Sequence, residues 1–304
     1  MGLQNTLAIN RLSSAPSIIP RVWNAGGGRK TLLSPSMLLA VITLLPAAYS
    51  AYVLRQAAAR TTAMASISPP NPVVLRSTGD GEVEGSETDD APSAIPSDVL
   101  AAPELYVIGR ERIVSEAVPL KSLLAGFHEE MGNRRARMEE KNEGEVGERG
   151  LLETYLGTTM RMFTWTPQAF LMKAMVSRLP GGERHAETFS AEYLDACRFQ
   201  PGDRVCGVYV VRSRVASDDG ERVFLDLSAP EGWKGPVVTG VLDCGYVLGE
   251  ENGEKVVKFV NETVLWRTKD AKPTLLEGKV SRYLHTAMIG WMMVRGVEAV
   301  TRKR

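Results

Sequence analysis

LLEGKVSRYLHTAMIGWMMVRGVEAVT, residues 275–301, decides the fold. The stretch predicts one long helix. Val280, Leu284, Met288, Trp291 and Met292 recur at helical spacing and form a broad apolar face, with Arg282, Arg295 and Glu298 outside it. Arg302, Lys303 and Arg304 follow and complement the negative end of the helix dipole. The apolar part is too short, and its ends too polar, for a membrane crossing. The face therefore needs a partner. Packing on a sheet is the first expectation and docking on a membrane surface the second.

The sheet is legible just upstream. Glu187–Phe199 and Arg204–Ala216 read as strands around Gln200-Pro201-Gly202-Asp203, where Pro presets φ and Gly accepts positive φ. Asp218-Asp219-Gly220 turns the chain into Arg222–Leu227. Val237–Leu248 and Lys255–Arg267 form a last pair, joined through Asn252-Gly253, a favoured hairpin dipeptide. Short connections make this meander of about five strands antiparallel. Before it, the β-branched residues of LYVIGRERIVSEAV (residues 105–118) suit a first strand or two, and residues 119–140 and 151–163 suit helices. Thr166-Pro167 starts another helix, with Thr as cap and Pro in the first turn.

The predicted class is α+β: a curved antiparallel sheet packed on the long C-terminal helix, over residues 104–304. A helix-grip, START-like arrangement fits this order. The alternative is a hot-dog fold, whose sheet wraps a central helix, here the one after Pro167.

The N-terminal third has a different character. The chain holds 36 basic and 36 acidic residues. Residues 1–79 contain seven of the bases and none of the acids, leaving 29 bases against all 36 acids in the remainder. Residues 1–30 form a basic segment with scattered Arg and Ser, the composition of a mitochondrial presequence. Residues 31–55 read as a single transmembrane helix: Thr31–Leu54 is uncharged and rich in Leu, Ala, Val and Ile, and about 20 apolar residues cross a bilayer. Tyr49 and Tyr52 mark its exit, and basic residues flank it on both sides. Residues 56–103, rich in Pro, Gly, Ser and acids from Ser66 on, read as a disordered tether. A single-pass membrane protein follows, in the mitochondrial inner membrane or an endomembrane. A zero net charge removes the whole-chain argument for nucleic-acid binding.

Chemistry-bearing patterns are few. Walker A, GxSxG, HExxH and strand-linked GxGxxG are missing from the sequence, so neither a metal nor a nucleotide cofactor is implied. Cys197, Cys206 and Cys244 form no CxxC and read as buried thiols. Of His128, His185 and His285, the last lies on the core helix and is the candidate general base, with Asp226 and Asp243 as strand carboxylates that could serve it. Pairing of those acids with Arg198, Arg212, Arg214 or Arg267 is the structural alternative. Met288, Trp291 and Met292 are the candidate ligand-binding surface. Asn261-Glu262-Thr263 is a glycosylation sequon inside a predicted strand, where it carries little meaning.

The helix PQAFLMKAM, the segments FQPGDRVCGVYVVRSR, VNETVLWR and PTLLEG, and SRYLHTAMIGWMMVRGVEAV resemble a group of membrane-anchored proteins of filamentous fungi with no established activity. The resemblance covers about 140 residues from Phe163 onward. It implies a setting in specialised metabolism and assigns no residue a role. The strand–helix order is also similar to START-like helix-grip proteins, an architectural likeness that does not fix function. The functional expectation is a membrane-anchored domain that binds or processes an apolar small molecule. The alternatives are a cofactor-independent enzyme (isomerase, cyclase, dehydratase or thioester hydrolase) and a structural or assembly protein of a membrane.

Overall fold

The computed structural model describes residues 51–68, 95–127, 149–233 and 237–302. The chain divides into two units, Met1–Pro46 and Ala47–Arg304. The first lies outside the described residues, as do positions 47–50 of the expected span, 69–94 of the expected tether, and His128. No helix among the described residues is long and apolar enough to cross a membrane.

The second unit is α+β, with an eight-stranded antiparallel sheet and a C-terminal helix. Residues 51–60 form helix α1. Strand β1 (Thr61–Ser68) follows, then α2 (Ser97–Ala101), β2 (Tyr106–Ser115) and the short β3 (Val118–Pro119). The stretch read as a tether is thus ordered near both ends. Composition misses β1 because its stability is non-local: TTAMASIS pairs over its whole length with β2, Thr61 opposite Ser115 and Ser68 opposite Ile108.

Four helices come next. They are α3 (Leu151–Phe163), α4 (Pro167–Val176), α5 (Gly182–Glu187) and α6 (Ala191–Ala196). Helix α3 has the predicted bounds. Thr166 caps α4 as expected, its hydroxyl accepting from the Ala169 amide at 3.2 Å. The strand expected over 187–199 is a correction, since α5 ends and α6 lies within it. Thr188 is the one β-branched residue in ETFSAEYLDACRF, and Ser190 caps α6 by accepting from the Tyr193 amide at 3.1 Å. The helix expected over 119–140 is also shorter at its start: Leu120–Ser122 is a 3-10 turn, and Leu123 bridges to Thr301.

The meander comprises β4 (Arg204–Val205), β5 (Tyr209–Ser217), β6 (Gly220–Leu227), β7 (Thr239–Glu251) and β8 (Glu254–Thr268); α7 (Lys279–Val300) closes the chain. The strand order is β1-β2-β8-β7-β6-β5-β4, with β3 also on β8. The N-terminal hairpin thus joins the sheet beside the last strand.

The register separates two faces. Ile113, Asn261, Cys244 and Val223 stand in one row across β2, β8, β7 and β6. This inner face, with Phe259, Tyr246 and Leu225, builds the main core with α3 and α7. The outer face carries Phe224, Val241, Val264 and Trp266, which pack with Ile95 and Val99 of the α2 segment.

Helix α3 is the more deeply seated of the two inner helices. Leu151, Leu152, Tyr155, Leu156, Met160 and Phe163 are all buried, each contributing roughly 1.5–3 kcal/mol. Helix α7 lies against α3, and its apolar face is a correction. Ile289, Met292, Met293, Val294, Val297 and Val300 are the large buried residues, whereas Val280 and Leu284 are exposed. Only the second half of α7 has both α3 and the sheet beneath it, so the predicted stripe continues past its support. Helix α4 is also mostly exposed, with only Ala169 and Val176 buried. The helix after Pro167 is therefore not the one wrapped by the sheet.

Gly296 permits the close approach of α7 to α3. A Cβ there would lie 2.5 Å from Thr159 Oγ1 and 2.7 Å from the Tyr155 ring. Neither partner is free to move: Tyr155 donates to Asn261 Oδ1 at 2.9 Å, and Thr159 donates to the Tyr155 carbonyl at 2.8 Å. Gly296→Val is expected to destabilise the protein by about 1–3 kcal/mol or more. Urea unfolding followed by circular dichroism measures this; an unchanged midpoint would refute the close helix contact.

Candidate functional site

His285 is held by a residue absent from the sequence-based candidates. Its Nδ1 is hydrogen-bonded to Glu111 Oε2, and the Thr286 hydroxyl donates to Glu111 Oε1. Glu111 is 1% exposed. It projects from β2 on the same face as Ile113, where the alternation of the strand would otherwise place an apolar residue. Helix α7 thus brings two adjacent side chains, His285 and Thr286, onto one inward carboxylate.

The arrangement orients the imidazole. One nitrogen is bound to Glu111, while Nε2 has no hydrogen-bond partner among the described residues, and the side chain keeps 10% of its exposure. A His whose Nδ1 is fixed by a carboxylate presents Nε2 to solvent or ligand, the geometry of a positioned general base. Thr286 Oγ1 also lies 2.9 Å from the Arg282 carbonyl, so its single proton is shared between that oxygen and Glu111 and ties the site to the helix backbone.

The other sequence-based acids are elsewhere. Asp243 and Asp226 project from β7 and β6 on the outer face, so the sheet separates both from His285. Asp243 pairs with Arg222, and Asp226 with Arg212 at 3.3 Å. Both acids are thus paired with arginines, Asp226 with one of those expected and Asp243 with Arg222, which was not among them. Met292 is buried, while Met288 and Trp291 are partly buried and pack against the main core. Trp291 Nε1 is buried without a hydrogen-bond partner among the described residues.

A second charged cluster on the inner face supports the fold. Glu153 of α3 accepts from Arg198 at 2.7 Å and Arg214 at 3.0 Å, and Arg214 also reaches Glu221 at 2.7 Å. Burial pushes the Glu153 carboxyl upward, but these hydrogen bonds and charges together hold it below its ordinary range. The cluster ties α3 to β5 and β6. All three cysteines are buried and unpaired, as read from the sequence. Burial raises the Cys197 thiol to about 11, which makes it a poor nucleophile. Asn261 of the sequon is buried and engaged with Tyr155, so its position in the core precludes glycosylation of the folded chain. No group of three His, Cys, Asp or Glu among the described residues is placed to hold a metal ion.

A cleft of about 500 Å³ lies at the other end of α7, lined by Arg60, Glu116, Val118, Ser122, Val297 and Thr301 among others. Arg60 is already neutralised by Glu116 and Glu298, each at 2.9 Å. Arg302 also lines the cleft, so two arginines there face two glutamates.

Asp243 gives the outer face a pH signature. Burial raises its carboxyl to about 6; Arg222 opposes the shift and nearby Glu262 adds to it. The folded state then binds a proton more tightly than the unfolded chain, so stability falls as pH rises from about 4 to about 6. Ionising this group costs the fold about 3 kcal/mol. Urea unfolding of wild type and Asp243→Asn across this range is expected to show the difference growing in the variant's favour with pH. A constant difference would remove the burial argument.

Comparison with family models, with curated proteins and with solved structures found no match to this chain.

Proposed function

We propose that this chain is a membrane-tethered α+β protein that binds and processes an apolar small molecule, with His285 as general base and Glu111 as its positioning partner. The observation that carries the reading is the buried Glu111 carboxylate on Nδ1 of a histidine whose Nε2 is unengaged. Leu284, the preceding residue of α7, is exposed. Met288 and Trp291, further along α7, are partly buried against the main core. The uncharged run 31–54 supplies the tether, in a mitochondrial inner membrane or an endomembrane, and a place in fungal specialised metabolism follows from the resemblance alone.

Of the two architectures read from the sequence, the hot-dog arrangement is the better supported, with α3 rather than α4 as the central helix. Helix α3 is buried along its length, whereas the first turns of α7 stand clear of the core. A helix-grip description keeps support from the way α7 closes the inner face.

The chemical step is a proton transfer. Nε2 accepts a proton from a nucleophilic water or from a carbon beside a carbonyl, Glu111 stabilises the imidazolium, and the proton passes to the leaving or rearranged group. Octanoyl coenzyme A is the first probe, since it joins an apolar chain to a carbonyl open to water attack. The full chain in detergent is expected to hydrolyse it, and His285→Gln to lower the rate by about 10²–10⁴-fold with an unchanged circular dichroism spectrum. Glu111→Gln is expected to fall between the two. Equal rates for wild type and His285→Gln would remove the base. Absence of turnover, together with no co-purifying apolar compound in native mass spectrometry, would overturn the whole reading.

A further inference from the structure

The first buried side chain of α7 is Ile289; none of Lys279–Met288 is buried. Apolar burial therefore does not fix where this half of the helix lies, although His285 and Thr286 within it meet Glu111. The fixed points lie just before the helix, in the loop between β8 and α7.

That loop is wound around one guanidinium. Arg267, near the end of β8, donates from Nε to Glu277 Oε1 at 2.8 Å and from Nη2 to Glu277 Oε2 at 2.7 Å. Its Nη1 lies 2.9, 3.0 and 2.8 Å from the carbonyls of Thr268, Lys269 and Ala271, which share its two protons. Glu277 Oε1 also accepts from the Thr274 amide at 2.7 Å. A fork bound at both prongs fixes direction as well as distance, which a single-point ammonium contact does not. The two side chains are only 14% and 15% exposed, so solvent screens them less than an ordinary surface pair. The first turn of α7 is tied to the same loop. Ser281 Oγ donates to the Leu275 carbonyl at 2.5 Å, and Arg282 Nη1 to the Leu276 carbonyl at 3.3 Å.

The sheet register places these anchors in line with Glu111. Arg267 stands opposite Val107, Leu265 opposite Gly109 and Thr263 opposite Glu111. Strand side chains alternate, so Val107, Gly109 and Glu111 share the inner face of β2, with Arg267 at the end of that face. Gly109 is the seat for the loop. A Cβ there would lie 3.1 Å from Leu276 Cβ, and Leu276 is buried. Leu276 thus fills the inward place next to Glu111 that Gly109 leaves empty, and Glu277 is bound at the row beyond it.

The lengths agree. From the Val107–Arg267 row to Glu111 is four residues, roughly 13 Å along a strand. From the Gly278 cap to His285 is seven residues, about 10 Å along a helix. A helix held at its start by Arg267 therefore brings His285 within side-chain reach of Glu111. A slip of one residue would rotate the imidazole by about 100° and take it off the carboxylate.

We propose that Arg267 and Glu277, together with Leu276 seated on Gly109, are the positioning residues of the His285 site. They set the height and rotation of α7 at which Nδ1 meets Glu111 and Nε2 stays unengaged. The inference rests on the Glu111–His285 reading above, and it adds determinants that act through the imidazole and not on a substrate.

The test reads the imidazole itself. The full chain in detergent is labelled with nitrogen-15 histidine, and long-range nitrogen–proton correlation spectra are recorded in alkaline buffer, where imidazole is neutral. The chain has three histidines, and His285→Gln identifies the resonances of the third. The wild type is expected to carry its proton on Nδ1, against the carboxylate, whereas an unconstrained imidazole favours Nε2. Glu277→Gln keeps the shape and removes the charge; Arg267→Lys keeps the charge and removes the fork. Each is expected to lower the ratio of Nδ1–H to Nε2–H several-fold. Leu276→Val, which leaves the ion pair intact, is expected to lower it less and serves where a charge variant fails to fold. Phe224→Leu, buried on the outer face, is the control: it loosens the fold and is expected to leave the ratio unchanged. An unchanged ratio in the Arg267, Leu276 and Glu277 variants overturns the positioning role and leaves the Glu111–His285 contact standing. An equal drop in Phe224→Leu also overturns the role, since any loosening would then have the same effect. A wild type that carries its proton on Nε2 overturns the Glu111–His285 reading, and the inference with it.

Discussion

Tyr155 is the point through which the inner layers of this domain are joined. Its ring lies 4.4 Å from Phe259 of β8, its hydroxyl donates to Asn261 of the same strand, and the α7 backbone passes over it at Gly296. One side chain thus contacts the sheet and both helices of the inner layer. A phenol suits the position because it combines a large apolar ring with a hydroxyl that must find a partner when buried. Asn261 provides that partner, and burial pushes the Tyr155 hydroxyl well above its ordinary range, so it remains a donor. The placement of α7 follows from this contact, and with it the height at which His285 meets Glu111.

The ends of α7 do different work because only one half is supported. Met292, Met293, Val297 and Val300 are buried where α3 and the sheet lie beneath the helix. Six residues before Met292 comes Thr286, and there the partner is no longer an apolar layer but the Glu111 carboxylate. A buried carboxylate is costly unless its oxygens are satisfied. His285 and Thr286 satisfy one oxygen each. Beyond them the helix exposes Leu284, Tyr283 and Val280. Core, polar pair and exposed apolar stripe therefore succeed one another along a single helix.

The class, the meander and the closing helix were legible because each rests on local signals. Asn252 takes positive φ in the β7–β8 turn, as an Asn-Gly hairpin requires, and Gly202 does so in the PGD turn. The buried thiols and the bounds of α3 were legible for the same reason. What escaped depends on partners distant in sequence. Strand β1, TTAMASIS, carries no strong strand signal of its own and is held by β2 alongside it. The burial of α7 switches with what lies beneath it, which periodicity along one helix does not report. Glu111 and His285 are 174 positions apart, so nothing in either neighbourhood announces the other. One local signal did exist: with Ile113 facing the core, the period of two in β2 puts Glu111 inward, and a carboxylate at an inward position demands a partner. By the same parity Asp226 and Asp243 fall on the opposite face, away from His285.

That parity also assigns the two sheet faces different roles. On the outer face Arg222 pairs with Asp243 and Arg212 with Asp226, and both guanidinium groups lie 5.6 Å from the centre of the Phe224 ring. Each of these two cations is engaged by a carboxylate and an aromatic face, which leaves it little chemistry to offer a ligand. On the inner face, Glu153 and Glu221 are likewise neutralised by arginines. Glu111 differs because it is held by a histidine and a threonine instead of a permanent cation. Arginine would lock the carboxylate at every accessible pH, whereas imidazole can exchange a proton with whatever reaches its second nitrogen. The choice of partner at that one buried acid separates a structural pair from a site able to do chemistry.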